Sequence, residues 1–299
     1  LYYKKHKKNI RGDKFMRKFF HWHIAFRCAE NMAFVAVKNP NWGWAADPFL
    51  IRYNGKIMLF AELYLYKSER NGVIGYCEWN GHKFEEWKVS MDKHWHLSYP
   101  NVWSENGKLY MCPETNQLEE VAIYELVSLP NNWIKKSILL MNGRYADNTF
   151  LNYKGKEYLF TYKHNEVSNI KGDLLMFEVT KEGVGTPTII SDDIRKARPG
   201  GNFFWNNGKL IRVSQDCEDE YGKGLVFSEV LSVCPEFKEK IIKQVYPDDI
   251  KIESDKNYVG IHTYNRLDDL EVIDLKYEVS SEEETIASNR VKEVFTNKY

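Results

Sequence analysis

A hairpin signal recurs four times along this 299-residue chain and constrains its fold more than any other feature. In the first copy, runs of β-branched and aromatic residues flank Asn54-Gly55, a dipeptide that suits a two-residue turn with two positive φ angles. Gly107, Gly155 and Gly208 each follow a similar run, and each precedes a lysine. Successive glycines lie about fifty residues apart, a period typical of β-propellers in which each repeat forms one blade.

The period predicts an all-β protein, a five-bladed β-propeller. Four blades begin with the repeated hairpins, and strand-like runs within residues 258–277 supply a fifth blade together with Phe19–Arg27. We expect the ring to be closed by pairing of these N-terminal and C-terminal strands, because closure removes exposed sheet edges. The predicted boundaries are a basic linker or arm at residues 1–18, the propeller at 19–279 and a C-terminal helix or tail at 280–299.

Composition limits the partners and the cellular compartment that are expected for the chain. The formal net charge is zero and the sequence pI is about 7.2, which argues against nucleic-acid binding. Five cysteines, odd in number and without metal-ligand spacing, are typical of reduced thiols in the cytoplasm. The basic run at residues 1–18 indicates a solvated linker, an arm lying on the anionic inner face of a membrane, or a segment packed on a preceding domain. Since the chain begins with leucine, we expect an upstream domain in the full-length protein.

Polar residues recur at fixed offsets from the turn glycines. Because hairpin strands run antiparallel, residues about eight positions before and seven after each glycine lie at one edge of the sheet, away from the turn. In a propeller this edge opens on one mouth of the central channel. The residues predicted to ring the mouth are Asp47, Tyr99, Asp147 and Arg198, backed by Glu62, Glu114, Tyr162 and Gln215.

Cationic side chains are expected at the same mouth. A neutral furanoside needs no such charge, whereas a sugar phosphate or diphosphate needs fixed donors that hold it and stabilise a leaving phosphate. The alternative is that the cations only neutralise nearby carboxylates in a structural network. The cations are Arg27, Lys163, His164, Arg198 and His262, and His96 and Asp216 complete the predicted substrate contacts.

No cofactor is predicted. His94 and His96, together with an aspartate, could bind a divalent metal, but alternating histidines in a loop are weak evidence for such a site. Tryptophans in turn-like surroundings are expected to stack on a sugar ring rather than to pack between blades. These tryptophans are Trp42, Trp44 and Trp95.

Short motifs distributed along nearly the whole chain after residue 20 carry a family resemblance through their order and spacing. They are Trp-His-Ile-Ala-Phe-Arg at 22–27, Ala-Asp-Pro-Phe-Leu at 46–50, Leu-Ser-Tyr-Pro-Asn-Val at 97–102, Arg-Pro-Gly-Gly at 198–201, Gln-Asp-Cys at 215–217, Tyr-Gly at 221–222 and Gly-Ile-His-Thr at 260–263. Together they resemble the N-terminal-type domain of the glucosamine inositolphosphorylceramide transferases and its bacterial relatives. That domain is similar in turn to the five-bladed propellers of family-43 glycosidases and of the levansucrase and invertase group.

The resemblance implies roles for the acidic residues. In the hydrolase relatives the first-blade aspartate is a base or nucleophile, which corresponds to Asp47, and a glutamate opening the third blade is the general acid, where this chain has Asp147. Blade two has Tyr99 where those hydrolases commonly have another aspartate. The candidate catalytic residues are Asp47, Asp147 and Glu114, since paired carboxylates supply acid and base chemistry at an anomeric carbon.

Three functions remain open at this point. The first is a glycosyltransferase-type enzyme of cell-surface glycan biosynthesis, which moves a sugar, in its finer form a furanosyl or phosphoribosyl unit, from a phosphate-activated donor to a glycan or lipid-linked acceptor. The second is a furanoside-acting glycoside hydrolase. The third is a non-catalytic glycan-binding propeller attached to a catalytic domain, because in plants the resembling domain accompanies a separate transferase domain that this chain lacks.

Overall fold

The computed structural model describes residues 18–65, 72–165 and 171–285. Within them, 22 β-strands form five sheets, and two short 3-10 helices lie at Asn116–Leu118 and Pro247–Asp249. This arrangement confirms the predicted all-β, five-bladed propeller. None of the helical segments in these ranges has both the length and the apolar character needed to cross a membrane.

The first two strands of the chain belong to the last blade, and the next four blades follow in chain order. The first two are β1 (Phe19–Arg27) and β2 (Val35–Ala36). Blade one contains β3 (Gly43–Tyr53), β4 (Lys56–Leu65), β5 (Gly72–Glu78) and β6 (Lys88–Met91). Blade two contains β7 (Ser98–Glu105), β8 (Lys108–Glu114), β9 (Glu120–Ser128) and β10 (Asn132–Met141).

Blades three and four repeat this antiparallel order. Blade three contains β11 (Tyr145–Tyr153), β12 (Lys156–His164), β13 (Gly172–Thr180), β14 (Gly183–Val184) and β15 (Thr188–Ser191). Blade four contains β16 (Phe204–Asn206), β17 (Lys209–Asp216), β18 (Gly224–Ser232) and β19 (Lys238–Val245).

The fifth blade combines the two ends of the described chain. Its later strands are β20 (Tyr258–Gly260), β21 (Tyr264–Leu267) and β22 (Leu270–Val279). Strand β22 pairs with both β20 and β21, and it pairs with β1 from Phe19 opposite Val279 to Arg27 opposite Glu271. The N-terminal strand therefore lies inside the last blade, and its first residue is at the end of β22.

Tight turns join the first two strands of blades one to four. Asn54 and Gly55 have φ angles of 50° and 76°, and the pairs at 106–107, 154–155 and 207–208 have nearly the same values. Both residues of a type I′ turn need positive φ, which glycine adopts without a steric penalty and asparagine tolerates better than most residues. The recurring Gly-Lys signal therefore marks the first hairpin of each of blades one to four.

An aromatic contact joins every pair of neighbouring blades. Large side chains on facing sheets fill the space between blades and bury apolar area, which is the main favourable term in folding. In blade order from one to five and back to one, the contacts are Phe60 with Trp133, Trp103 with Phe150, Phe160 with Phe237, Phe227 with Tyr264, and Phe26 with Trp79, with ring centroids 4.9–6.2 Å apart.

Both predicted terminal segments lie largely outside the described residues. Of the predicted basic arm, only Lys18 is described, and its ammonium group lies 2.8 Å from the Glu278 carboxylate. After β22, residues 281–285 are helical. The Ser280 hydroxyl accepts a hydrogen bond from the Glu283 amide while the Glu283 carboxylate accepts one from the Ser280 amide, which is a capping box.

We predict that Phe160→Ala destabilises the propeller by about 3–5 kcal/mol, because the substitution leaves a cavity between blades three and four. Phe160 is 1% exposed and contacts the rings of Phe203 and Phe237. Urea unfolding measures the change. Trp205→Ala is the control, because this ring is 62% exposed and its loss is expected to change the free energy of unfolding by less than about 0.5 kcal/mol. Equal losses in the two variants would contradict the assignment of Phe160 to the inter-blade core.

Candidate active site

Three blades carry the same backbone irregularity at the same point of their first strand. The pairing register shifts between Ala46 and Phe49 in β3, and equivalent shifts occur in β7 and β11. Asp47, Tyr99 and Asp147 lie in these bulges with φ angles of 54°, 42° and 53°. Non-glycine residues adopt this left-handed conformation rarely, and bulges at such points turn a side chain towards a site. The bulges thus present the three predicted residues at one place.

Asp47 is fixed by contacts with two other blades. Its Oδ1 accepts a hydrogen bond of 2.8 Å from the Thr263 hydroxyl, and its Oδ2 accepts one of 3.1 Å from the Tyr99 amide. His262 Nε2 lies 3.6 Å from Asp47 Oδ1. The Asp47 amide in turn donates to Asp274 Oδ2 at 2.9 Å. The carboxylate is therefore held in one orientation by groups from blades two and five.

Asp147 forms the centre of a second ion-paired group. The Arg198 guanidinium donates to Asp147 Oδ2, and the Gln215 amide donates to the same oxygen at 3.1 Å. Arg198 Nη2 lies 3.9 Å from Glu114 Oε2, and this oxygen also accepts a hydrogen bond of 3.3 Å from the Asp147 amide. One arginine thus lies between two carboxylates that come from blades two and three.

A polar network lies beneath these carboxylates. The Tyr99 hydroxyl accepts a hydrogen bond from the Gly201 amide at 2.7 Å and lies 2.9 Å from the Thr149 hydroxyl, which donates to the Asp147 carbonyl. Amide side chains extend the network across the ring: Asn101 donates to Asn202, and Asn265 accepts from the Asn202 amide and donates to the Pro48 carbonyl. These buried hydrogen bonds connect the blades below the carboxylates.

Aromatic rings border the cluster. The Arg198 guanidinium lies 4.8 Å from the centre of the Tyr221 ring and 5.7 Å from that of Tyr162. Trp22 stacks on the His262 ring at 4.1 Å, and Tyr221 meets His262 edge-on at 5.3 Å. Because Tyr221 is 46% exposed, this side of the cluster reaches solvent.

Burial changes the protonation of the acidic side chains. It raises the pKa of Asp47 to about 6, although His262 acts in the opposite direction. Burial and the charge of Asp147 raise the pKa of Glu114 to about 8. Burial and the neighbouring carboxylates, Asp47 first among them, raise the pKa of Glu62 well above its usual range. Burial lowers the pKa of His262, but the carboxylates of Asp274 and Asp47 outweigh it, so that the net shift is upward. The cluster therefore contains both protonated and ionised carboxyl groups near neutral pH.

The structure brings most of the predicted residues together. Contacts or mutual electrostatic effects link Asp47, Glu62, Tyr99, Glu114, Asp147, Tyr162, Arg198, Gln215 and His262. His96 lies at the edge of the group, with its Nε2 3.6 Å from Glu62 Oε1. His164 lies two residues beyond Tyr162 on the same strand and packs edge-on against its ring.

Three predicted residues lie elsewhere. Arg27 pairs with Glu271 at 2.7 Å and covers the Phe34 ring. Strand β1 reaches the cluster near its start and not at its end: Trp22 contacts His262, and five residues further along the strand the chain has advanced about 16 Å.

Lys163 and Asp216 lie on the opposite face of their strands from the cluster. Lys163 is exposed, and its ammonium group lies 5.9 Å from the Tyr145 ring centre, because neighbouring residues of a strand face opposite ways and Tyr162 faces the cluster. Asp216 follows Gln215 in the same manner. Its carboxylate accepts hydrogen bonds from the Tyr246 hydroxyl and the Glu218 amide.

Sequence reasoning missed Asp274, which is fully buried in β22. Its Oδ1 accepts hydrogen bonds from the amides of His262 and Thr263 at 3.0 and 2.9 Å, and its Oδ2 lies 2.6 Å from His262 Nδ1. An aspartate inside the apolar run Val-Ile-Asp-Leu was the available signal, because an unpaired charge is rarely placed in a buried strand.

Asp47, His262 and Asp274 each offer a ligand atom, and these atoms lie within 4.8 Å of one another, so that the three residues could hold a metal ion. Both Asp274 oxygens already accept hydrogen bonds, however, and both Asp47 oxygens do so as well. We therefore assign no metal to the three residues, and the weaker prediction for His94 and His96 stays a prediction.

Comparison with known proteins identifies the family. Residues 22–277 match the family described as glucosamine inositolphosphorylceramide transferase 1, N-terminal. The chain belongs to this family. It is 31% identical over 196 residues to glucosamine inositolphosphorylceramide transferase 1 of Arabidopsis thaliana, which covers 62% of this chain and 25% of that protein. The protein of the same name from Oryza sativa subsp. indica is 28% identical over 214 residues, covering 69% of this chain and 27% of that protein. This family member thus spans about a quarter of the length of these relatives.

Solved structures share the family member's fold. The α-L-arabinofuranosidase PaAbf62A of Podospora anserina superimposes with a TM-score of 0.56 at 12% identity, covering 82% of this chain and 94% of that one. A thermostable family-43 glycoside hydrolase gives 0.56 at 15% identity, with 78% and 88% covered. The Bombyx mori family-32 β-fructofuranosidase BmSUC1 gives 0.57 at 16% identity, with 91% and 60% covered. At such identities the likeness establishes the propeller fold alone.

We predict that Glu114→Gln makes the stability of the protein less dependent on pH. A carboxyl group whose folded-state pKa is raised to about 8 stabilises the fold while it is protonated, and this stabilisation is lost as the pH rises from about 4.5 through 8. The free energy of unfolding of the unmodified protein should therefore fall relative to that of the variant by at least about 1 kcal/mol between pH 5 and pH 9. Urea titrations at four pH values measure the difference, and parallel curves would show that Glu114 is ionised throughout.

Proposed function

We propose that the propeller is a carbohydrate-active domain of the glycosyltransferase type in cell-surface glycan biosynthesis, which transfers a sugar from a phosphate-activated donor to a glycan or lipid-linked acceptor. The observation that carries the proposal is the convergence of Asp47 and Asp147, on matched bulges, with a protonated Glu114. The family supports transfer, because its named relatives are glucosamine inositolphosphorylceramide transferases. A furanosyl or phosphoribosyl unit is the finer form of the proposal.

In this proposal Asp47 is the general base. Its two oxygens are fixed by Thr263 and Tyr99, and a pKa of about 6 leaves it mostly ionised at neutral pH, so that it can take the proton of an acceptor hydroxyl. Glu114 keeps its proton up to about pH 8 and can give it to a leaving oxygen. One base and one acid at a shared centre are the groups that substitution at an anomeric carbon requires.

Arg198 is the residue proposed to hold the donor phosphate. Its guanidinium reaches Asp147 and stacks on the partly exposed Tyr221 ring, so that one side of it is close to solvent. A phosphate would share this arginine with the Asp147 carboxylate. Arginine suits such sharing because it presents five N–H donors in a planar fork.

The charge of the cluster favours a second candidate, hydrolysis of neutral furanosides. Five carboxyl groups, those of Asp47, Glu62, Glu114, Asp147 and Asp274, surround one arginine and one histidine. A neutral glycoside enters such a site without repulsion, whereas a diphosphate is repelled by every ionised carboxylate. A third candidate, a non-catalytic glycan-binding module, is supported by the family description as N-terminal and by the quarter of the relatives' length that this chain spans.

The cellular location of the proposed reaction is also part of the proposal. We place the domain in the cytoplasm, at the inner face of a membrane, with an upstream domain in the full-length protein and with membrane contact through the basic residues of 1–18. An acceptor attached to a lipid would be presented at this surface. Nucleic acid is not a proposed partner.

We predict that Asp47→Asn retains the fold and removes turnover. The amide keeps the shape of the side chain and can bond Thr263 and Tyr99, but it cannot take a proton, so that a loss of about 10²-fold or more is expected for a general base. Product detection with activated sugar donors plus an acceptor tests transfer, and incubation with arabinofuranosides tests hydrolysis. Asp268→Asn is the matched control, because this carboxylate is 72% exposed on a turn. Full turnover by Asp47→Asn would reject the catalytic role.

The variants Arg198→Ala and Arg198→Lys distinguish the transferase from the furanoside hydrolase. If Arg198 holds a donor phosphate, the alanine variant loses donor affinity and the lysine variant recovers it only in part, because lysine lacks the two-pronged planar contact. Calorimetry with sugar nucleotides measures this affinity. Donor binding that is unchanged in Arg198→Ala, together with turnover of a neutral furanoside, would select the hydrolase instead.

A further inference from the structure

An aromatic pair lies on blade one close to the carboxylate cluster. Trp44 on β3 and Tyr64 on β4 are direct cross-strand partners. Their rings are 4.4 Å apart and nearly parallel, with 5° between their planes, and both side chains are partly exposed. We call Trp44 and Tyr64 the aromatic shelf.

Strand alternation places a carboxyl group beside the shelf. Glu62 lies two residues before Tyr64 on β4, so that the two side chains point to the same face of the sheet. The cross-strand partner of Glu62 is Ala46, just as that of Tyr64 is Trp44. Burial raises the pKa of Tyr64, and the negative charge of Glu62 raises it further, as expected for two groups that lie close together. Glu62 therefore extends the shelf towards Asp47.

Glu62 is a buried carboxyl group without a hydrogen-bond partner in the described ranges. It is 7% exposed, and its Oε1 lies 3.6 Å from His96 Nε2, which is too distant for a hydrogen bond. The Nδ1 atom of His96 is buried and has no hydrogen-bond partner in the part of the chain that the structure describes. A buried polar atom without a partner is costly in free energy, and it marks a place where a ligand can complete the hydrogen bonding.

Both groups are shifted towards their uncharged forms. Burial raises the pKa of Glu62 well above its usual range and lowers the pKa of His96 to about 4. A neutral carboxyl group donates one hydrogen bond and accepts others, and a neutral imidazole has one donor and one acceptor. Together they match hydroxyl groups, which also donate and accept. They offer no fixed positive charge to a phosphate, in contrast to Arg198.

We propose that the aromatic shelf, Glu62 and His96 form a second subsite that binds an uncharged sugar ring, the acceptor side of the substrate. The apolar face of the sugar packs against the outer face of the Trp44–Tyr64 stack, and its hydroxyl groups bond Glu62 and His96. The inference rests on the proposed function only where it calls the bound sugar the acceptor. The binding of a neutral sugar does not depend on turnover. The active site would then be divided into a charged centre at Arg198 and an uncharged flank at Glu62.

Saturation-transfer difference NMR with a set of neutral methyl glycosides (glucopyranoside, xylopyranoside and arabinofuranoside) tests the subsite. We expect at least one glycoside to bind the unmodified protein and Trp44→Ala to weaken its binding about tenfold, the order expected for one aromatic contact. Trp205→Ala, which removes an exposed tryptophan from blade four, should leave binding unchanged. Binding of no glycoside, or equal binding by Trp44→Ala and the unmodified protein, would overturn the subsite. Circular dichroism verifies that each variant is folded.

Two further measurements examine the uncharged character of the subsite. Glu62→Gln should retain most glycoside binding, because its side-chain amide also donates and accepts, whereas Glu62→Leu should lose about as much as Trp44→Ala. Inorganic phosphate added at tenfold excess should leave the glycoside signals in place. Displacement by phosphate would identify an anion site and overturn the proposal. If the glycoside binding follows these expectations while no donor or furanoside is turned over, the subsite stands and the proposed catalytic function fails.

Discussion

The carboxylate of Asp274 organises the centre of the propeller. Fully buried, it accepts hydrogen bonds from the backbone amides of Asp47, His262 and Thr263, and it pairs with the His262 ring. Such a charge is tolerated in the interior only because every bond to it is made. By holding the Asp47 amide, it fixes the left-handed bulge that turns this residue towards the other blades. The positions of Asp47 and of His262 therefore both depend on Asp274.

The remaining carboxyl groups meet because the fold repeats. Matched bulges in blades one and three present Asp47 and Asp147, and the second strands of blades one and two present Glu62 and Glu114 beside them. Crowding and burial make it costly for all of these groups to be ionised together, so that Glu62 and Glu114 retain protons to higher pH. Geometry and burial thus leave Asp47 mostly ionised and Glu114 protonated near neutral pH.

Sequence periodicity was sufficient to predict the fold and many of the residues that the structure brings together in the cluster. The offset from each turn glycine identified Asp47, Tyr99 and Asp147 because bulges at equivalent points preserve the offset. Asp274 could not be placed this way, since it lies 227 residues from Asp47 and in a blade without the Gly-Lys signal. Arg27 was misplaced because the sequence does not tell which end of β1 reaches the mouth. Lys163 could have been excluded, since alternation sends it away from the face that Tyr162 occupies.

The most direct measurement is a crystal structure of the Asp47→Asn variant grown with an oligosaccharide substrate or acceptor. We expect a sugar ring at the centre of the propeller, with one oxygen within hydrogen-bond distance of the side chain at position 47 and another within reach of Glu114. A sugar bound only on the outer surface of the blades, with the central carboxyl groups bonded solely to one another, would contradict it.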